Sequence, residues 1–320
     1  MVDKVINTIA AFDIDGAKVA QIAGGSPDLN VRSGYRWLHL DLNEPDLKGW
    51  VKVHLPEIAA RALLQTETRP RCERLADGLI LNLRGVNLNP GSDPEDMVSL
   101  RMWVTSNAIV TGRKRKVWAV DAIRQAAEAG IAPATVGRFL AEITYGLTTR
   151  IETVSIALED ETDALEEEVL EGRKLPSGQL GNLRQAVIKM RRFVNPQREA
   201  IAALAAMDNW IIAPDELALL RETSNRTRRI VEELDATRDR LAALQEHIDA
   251  HRTHALGRNS YVLSVVAAIF LPLGFLTGLF GVNVGGMPGV ASPAAFWVLT
   301  GASLACGVAL FFIFKYSKWL

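Results

Sequence analysis

His247, His251 and His254 stand at positions i, i+4 and i+7, a spacing that puts three imidazoles on one side of a helix. Imidazole nitrogen favours zinc over magnesium, so the row reads either as a metal- or pH-sensing face or as the solvated face of a helix. A second concentration of chemistry is acidic. Glu159, Asp160, Glu161, Asp163, Glu166, Glu167, Glu168 and Glu171 crowd residues 158–171, with Leu158, Leu165 and Val169 as the apolar minority. Carboxylates at that density either face water or gather hydrated divalent cations. A third candidate carries no charge at all. Gly281-Val282-Asn283 offers an amide side chain and backbone carbonyls in the most apolar part of the chain. Neutral oxygens there would select a hydrated cation by size and dipole rather than by tight ligation. Asn283 equally suits the end of a helix, where asparagine tolerates left-handed geometry.

Other chemistry is absent. No nucleophile with a matching base, phosphate-binding glycine loop or metal-hydrolase motif occurs, so an enzyme is not expected and no cofactor is implied. A net charge of -1 gives no basic excess for nucleic acid. Two cysteines, Cys72 and Cys306, can build neither a disulfide framework nor a cysteine zinc site within one chain. His39 and His54 are isolated and read as structural. The acidic N-terminus, with Asp3, Asp13 and Asp15, lacks a cleavable signal pattern, which leaves the C-terminal segments as the insertion signals.

The elements that must position these residues follow from charge distribution. Residues 259–314 contain no Lys, Arg, Asp or Glu, whereas the preceding 258 residues are densely charged. Within that run, residues 261–280 and 293–314 each have the length of a helix that crosses about 30 Å of hydrocarbon, joined by a glycine-rich connector. Arg252 and Arg258 precede the first span and Lys315 and Lys318 follow the second, while the connector has no Lys or Arg. The positive-inside rule then puts both termini in the cytoplasm. The expected division is a cytoplasmic α/β domain over 1–131, a cytoplasmic helical domain and stalk over 132–258, and a transmembrane hairpin over 259–320, with spans at about 260–281 and 293–314 and a loop at 282–292. The fold class is α+β.

In the first span Ser260, Leu263, Ala267, Leu271, Gly274, Gly278 and Gly281 recur at intervals of three and four and define one face. Small residues there either permit close helix packing or leave room for a narrow lumen. Leu263 and Leu271 are the candidate apolar constrictions. Gly301, Ala305 and Ala309 read as a packing stripe of the second span. Two helices per chain cannot enclose a path, so conduction would require several copies around an axis.

Upstream, segments 36–42, 79–83, 100–104 and 109–111 carry strand signals, and residues 121–129 look helical before Gly130. From Pro133 helical signals dominate. The acidic helix is followed by a break at 174–178 and then a basic helix with Arg184, Lys189, Arg191 and Arg192, which predicts an antiparallel pair. After Ala213-Pro214-Asp215 no proline occurs until Pro272. Ile230, Leu234, Thr237, Leu241, Leu244 and Ile248 follow a 4-3-4-3-4 spacing, the seam of a helix packed along a partner over several turns. A continuous helix from Pro214 to Phe280 would measure about 100 Å.

Leu271-Pro272-Leu273-Gly274-Phe275-Leu276-Thr277-Gly278-Leu279-Phe280-Gly281-Val282-Asn283, followed by a second span and a short basic tail, resembles the CorA superfamily of divalent-cation transporters. Gly281-Val282-Asn283 matches its G-x-N signature at the end of the first span. The continuation Val284-Gly285-Gly286-Met287-Pro288-Gly289, with no acidic residue, and the upstream Glu67-Thr68-Arg69-Pro70-Arg71 are similar to the ZntB-like zinc transporter branch. The resemblance implies a homopentamer in the cytoplasmic (inner) membrane, an α/β funnel, a stalk helix continuous with the first span, and zinc as the transported ion. Proton linkage is also implied, yet neither span holds an Asp, Glu or His to relay one.

Overall fold

The computed structural model of the chain describes residues 6–22, 28–75, 77–173, 175–176, 178–207, 211–281, 289 and 291–316. Its contacts divide it into two units, Met1–Leu244 and Gln245–Leu320.

The first unit is built on a seven-stranded sheet, β1 (Thr8–Asp15), β2 (Lys18–Gln21), β3 (Tyr35–Asp41), β4 (Arg71–Leu75), β5 (Gly78–Gly85), β6 (Val98–Val104) and β7 (Ala108–Arg113), in the order β2-β1-β3-β7-β6-β5-β4. Every pairing is antiparallel except β3 with β7, where Trp37 stands opposite Ile109. Successive side chains of a strand point to opposite faces, and here both faces are covered. Helices α1 (Leu47–His54) and α2 (Glu57–Leu64) bury Leu38, Leu40, Ile80, Trp103 and Val110 on one side. On the other side Phe12, Trp37, Leu79, Leu81, Leu100 and Ile109 pack against Phe139, Leu140, Ile143, Ile201 and Leu220 from the long helices. A strand buried on both faces has no polar side to alternate with, which is why segments 79–83 and 100–104 read as mostly apolar runs, interrupted only by Asn82 and Arg101.

Helix α3 (Trp118–Glu128) covers the predicted helix, and α4 (Val136–Leu170), α5 (Gln179–Ala205) and α6 (Pro214–Gly281) complete the helical layer. The break between α4 and α5 ends at Gly178, whose φ of 89° suits glycine because no Cβ opposes it. Helices α4 and α5 pack together as the predicted pair. Their charges, however, do not neutralise each other. Glu152, Asp163 and Glu166 of α4 bind Arg226 and Arg240 of α6, with Arg240 Nε 3.0 Å from Glu166 Oε1. Of the basic residues on α5, Arg191 goes to Asp235 on α6 and Lys189 to Asp96, at 2.9 Å. A third helix, α6, takes the α4 carboxylates and Arg191 of α5, an arrangement that sequence adjacency does not announce.

The α6 seam is buried as its spacing requires as far as Leu244, and its last position, Ile248, is half-buried. Ile230, Leu234, Thr237, Leu241 and Leu244 are all inside, preceded by Thr223 and Thr227. Thr227 reaches Thr148 of α4 at 3.2 Å. One carboxylate organises the starts of two helices. Glu216 accepts the backbone N–H of Ala213 at 2.6 Å, reaching back over the first turn of α6. It also accepts the hydroxyl of Thr135, the residue that caps α4 by accepting from Arg138 N at 3.0 Å.

Candidate ion path

The second unit contains the remainder of α6 and α7 (Ala295–Tyr316). Both helices include a stretch long and apolar enough to cross a membrane, none of it buried inside the chain. Three hydroxyls within these stretches bond to their own helix: Ser264 to the carbonyl of Ser260, Thr277 to that of Leu273 and Thr300 to that of Phe296, at 2.8–2.9 Å. In hydrocarbon such internal bonds replace the missing water.

The span of α6 has two different faces. Val265, Ala268, Ile269, Pro272 and Leu273 are half-covered, and Leu273 Cδ1 would lie 3.8 Å from a Cβ placed on Gly307 of α7. About half a turn away, by the helical repeat of 3.6 residues, lie Leu263, Ala267, Leu271, Gly274, Gly278 and Gly281. All six are exposed, Leu263 at 69% and Leu271 at 77%. A shallow apolar depression runs along Ala267, Phe270, Leu271 and Gly274 on this side. The sequence-defined face is therefore the one that the hairpin itself leaves uncovered.

On α7 the half-covered residues are Ala295, Leu299, Ser303, Cys306, Gly307, Leu310 and Phe314. Gly301, Ala305 and Ala309 are exposed, so within the chain they are not the packing stripe that their spacing predicted. Both Gly301–Ala305 and Ser303–Gly307 place small residues four apart, which is the relevant signal. Only three dimensions choose between them.

Gly281 is the last residue of α6, where the entrance was expected. Val282 and Asn283 lie outside the described residues. His247, His251 and His254 are exposed on α6, and the first two rings meet edge to face at 4.5 Å. No group of three His, Cys, Asp or Glu side chains able to hold a metal ion is found among the described residues. The isolated histidines do have structural partners: His39 is enclosed in the sheet beside Thr111, and His54 stacks on Trp50 with centroids 4.6 Å apart.

A charge-free span ending in Gly281, a second apolar helix and a sheet domain with long helices recur together in known proteins. The family model described as CorA-like Mg2+ transporter protein matches residues 32–316. The chain belongs to that family. A zinc transport protein, ZntB, of Yersinia enterocolitica is 35% identical over 99% of this chain and 97% of the relative. A divalent cation transporter, CmaX, of Pseudomonas aeruginosa is 38% identical over 89% of this chain and 87% of its own. The solved structure of full-length CmaX superposes with a TM-score of 0.83 at 32% identity, covering all of both chains. CorA family members are transporters, which agrees with the lack of any catalytic constellation in the sequence. The α/β domain, long helix and terminal apolar helix read from the sequence are the family's architecture.

Proposed function

We propose that this chain carries divalent metal ions, zinc foremost, across the cytoplasmic membrane through a homopentameric pore, with both termini in the cytoplasm. The observation that carries the reading is the uncovered face of α6, where Leu263, Ala267, Leu271, Gly274 and Gly278 are all exposed. In several copies around an axis, such faces meet one another. Glycines and an alanine leave a narrow lumen, and the leucines form apolar constrictions that gate by dewetting.

A divalent ion leaving bulk water for hydrocarbon loses far more solvation than any single side chain returns. Rings of Asn283 amides with Gly281 or Val282 carbonyls would supply neutral oxygens at the entrance and pass the ion with water still attached. His247, His251 and His254, repeated in each copy, would form an imidazole belt suited to zinc. Proton coupling, where present, would run through water or groups outside the spans, because the spans hold no titrating relay.

Transport of a wider set of divalent cations is the second reading, favoured by the similarity to CmaX, a divalent cation transporter. Zinc and magnesium flux into liposomes, with and without a pH gradient, separates the two for the wild type and Asn283→Ala. Zinc flux lost in the variant is the expected result. Magnesium flux alongside zinc flux favours the broader reading, magnesium flux without zinc flux rejects zinc as the transported ion, and no flux of either ion from intact oligomers rejects both readings in favour of a membrane-anchored interaction protein.

A further inference from the structure

The Glu67-Thr68-Arg69-Pro70-Arg71 segment plays no part in the ion path, yet it forms one wall of a cleft in the first unit, about 800 Å³ in volume. The other walls are β5 and β6, the turn after β7 with Lys114 and Arg115, and Arg192 with Phe193 on α5. That volume is typical of a small-molecule site.

Two arginines form its floor. Antiparallel pairing sets Arg84 opposite Ser99 and Asn82 opposite Arg101, so Arg84 and Arg101 project from the same face of neighbouring strands. Arg101 is only 2% exposed. It donates to the carbonyls of Leu63 at 2.7 Å and Thr66 at 3.4 Å and to Ser99 Oγ at 3.4 Å. Arg84 donates to the carbonyls of Met97 and Thr68, both at 2.8 Å, and lies over the Phe193 ring at 4.3 Å. Its Nε is buried without a partner.

Carbonyls satisfy these donors but do not neutralise their charge. Among the described residues no carboxylate lies within ion-pair distance of Arg84 or Arg101, nor of Arg69, Lys114, Arg115 or Arg192 on the rim. Of the two carboxylates on the walls, Asp96 is held by Lys189 at 2.9 Å. Glu67 acts on Arg84 only through space. Burial pushes both floor guanidinium groups below the ordinary arginine value; Arg84 lowers Arg101 further, and Arg192 does the same to Arg84. An uncompensated buried charge is costly unless something neutralises it.

We propose that this cleft binds a small, soluble, multiply charged phosphate anion, of the class of inorganic polyphosphates and nucleotides. Planar guanidinium forks pair with phosphate oxygens two at a time, which ammonium groups cannot do. A concave site suits a compact anion better than the convex acidic face of a helix, and Glu152, Asp163 and Glu166 of α4 are already engaged by α6.

The test is calorimetric titration of the full-length protein in detergent, in chelator-treated buffer, with tripolyphosphate and with sulfate at matched ionic strength. Tripolyphosphate is expected to bind the tighter, and Arg115→Gln with Arg192→Gln to weaken it about tenfold per arginine removed. These two side chains are exposed, so the variant should fold, and an unchanged melting temperature without ligand verifies that it does. Equal affinity for sulfate, or undiminished binding by the variant, overturns the proposal. So does binding of short-chain phosphatidylglycerol without tripolyphosphate, which assigns the cleft to lipid headgroups. A change of oligomeric state in the double variant without anion binding in the wild type assigns it to a second copy of the chain. None of these outcomes depends on ion flux.

Discussion

Arg113 Nε lies 3.0 Å from Nε2 of His39, and this contact fixes the tautomer of a buried ring. Arginine can only donate, so Nε2 must accept and the proton resides on Nδ1. Nδ1 then donates to Thr111 Oγ1 at 2.8 Å, and that hydroxyl donates onward to the carbonyl of Leu38 at 3.2 Å. Trp37 Nε1 also donates to Thr111, at 2.9 Å. The network spans β3 and β7, the one parallel pair in the sheet.

Its titration should be visible as stability. Burial, reinforced by the Arg113 charge, holds His39 down to about 3 from the usual 6.5. The folded state therefore resists a proton that the unfolded chain accepts, so the contribution is complete above pH 6.5 and is lost as pH falls towards 3. At pH 5 the expected loss is about 2 kcal/mol. Thermal unfolding of the full-length protein in detergent, from pH 7 to pH 4, should show a shallower pH dependence for His39→Gln than for the wild type. Parallel curves would mean that His39 does not titrate in this way.

Glu216 gives a second prediction. Its carboxylate serves Thr135 and Ala213 together, and a Cβ on Gly137 would meet Oε2 well inside contact distance and the carbonyl oxygen of Ile211 at 2.6 Å. Gly137→Ala should therefore lower stability by about 2–3 kcal/mol, although alanine is the better helix former. Thr135→Ala should cost about 1 kcal/mol as a lost cap. Unfolding midpoints of Thr135→Ala, Glu216→Gln and the double variant should be non-additive, because the two side chains share one bond. Additive losses would remove Glu216 from this role.

Much of this architecture was legible in the chain. The seam predicted over 230–248 is buried from Ile230 to Leu244, the break before Gly178 separates two helices, and the charge-free run divides between α6 and α7. What was hidden depends on long-range pairing. Alternation is lost in β5 because helices cover both its faces, so its register with β6 could not be read. Without that register, Arg84 and Arg101 are merely two arginines with sixteen residues between them. The small residues of α7 form two stripes with the same spacing, and periodicity cannot rank them.

Cys72 offers a chemical check on the sheet. It faces Leu81 across the β4–β5 pair and packs against the main core. Burial pushes its thiol up to about 12, so almost no thiolate is present near neutral pH, and the thiolate is the reactive form. In Cys306→Ser protein, iodoacetamide at pH 8 should modify Cys72 at least about tenfold more slowly in the folded state than in urea. Equal rates would place this thiol in water.

The two faces of α6 make the final prediction the most discriminating for transport. In a background lacking Cys72 and Cys306, Gly274→Cys lies on the uncovered face, whereas Leu273→Cys, the next position back, turns towards Gly307 of α7. If the uncovered face lines a water-filled path, a charged, membrane-impermeant thiosulfonate should reach Gly274→Cys and block metal flux by adding a fixed positive charge at a narrow point. Leu273→Cys, shielded by the hairpin, should keep its flux. The same reagent at Leu271→Cys and Gly278→Cys, on the face of Gly274, should also inhibit, so that sensitivity repeats every three to four residues as a helix requires. Block at Leu273→Cys with none at Gly274→Cys would put the path between α6 and α7 of each chain. Sensitivity without periodicity would mean that the reagent acts by unfolding the hairpin.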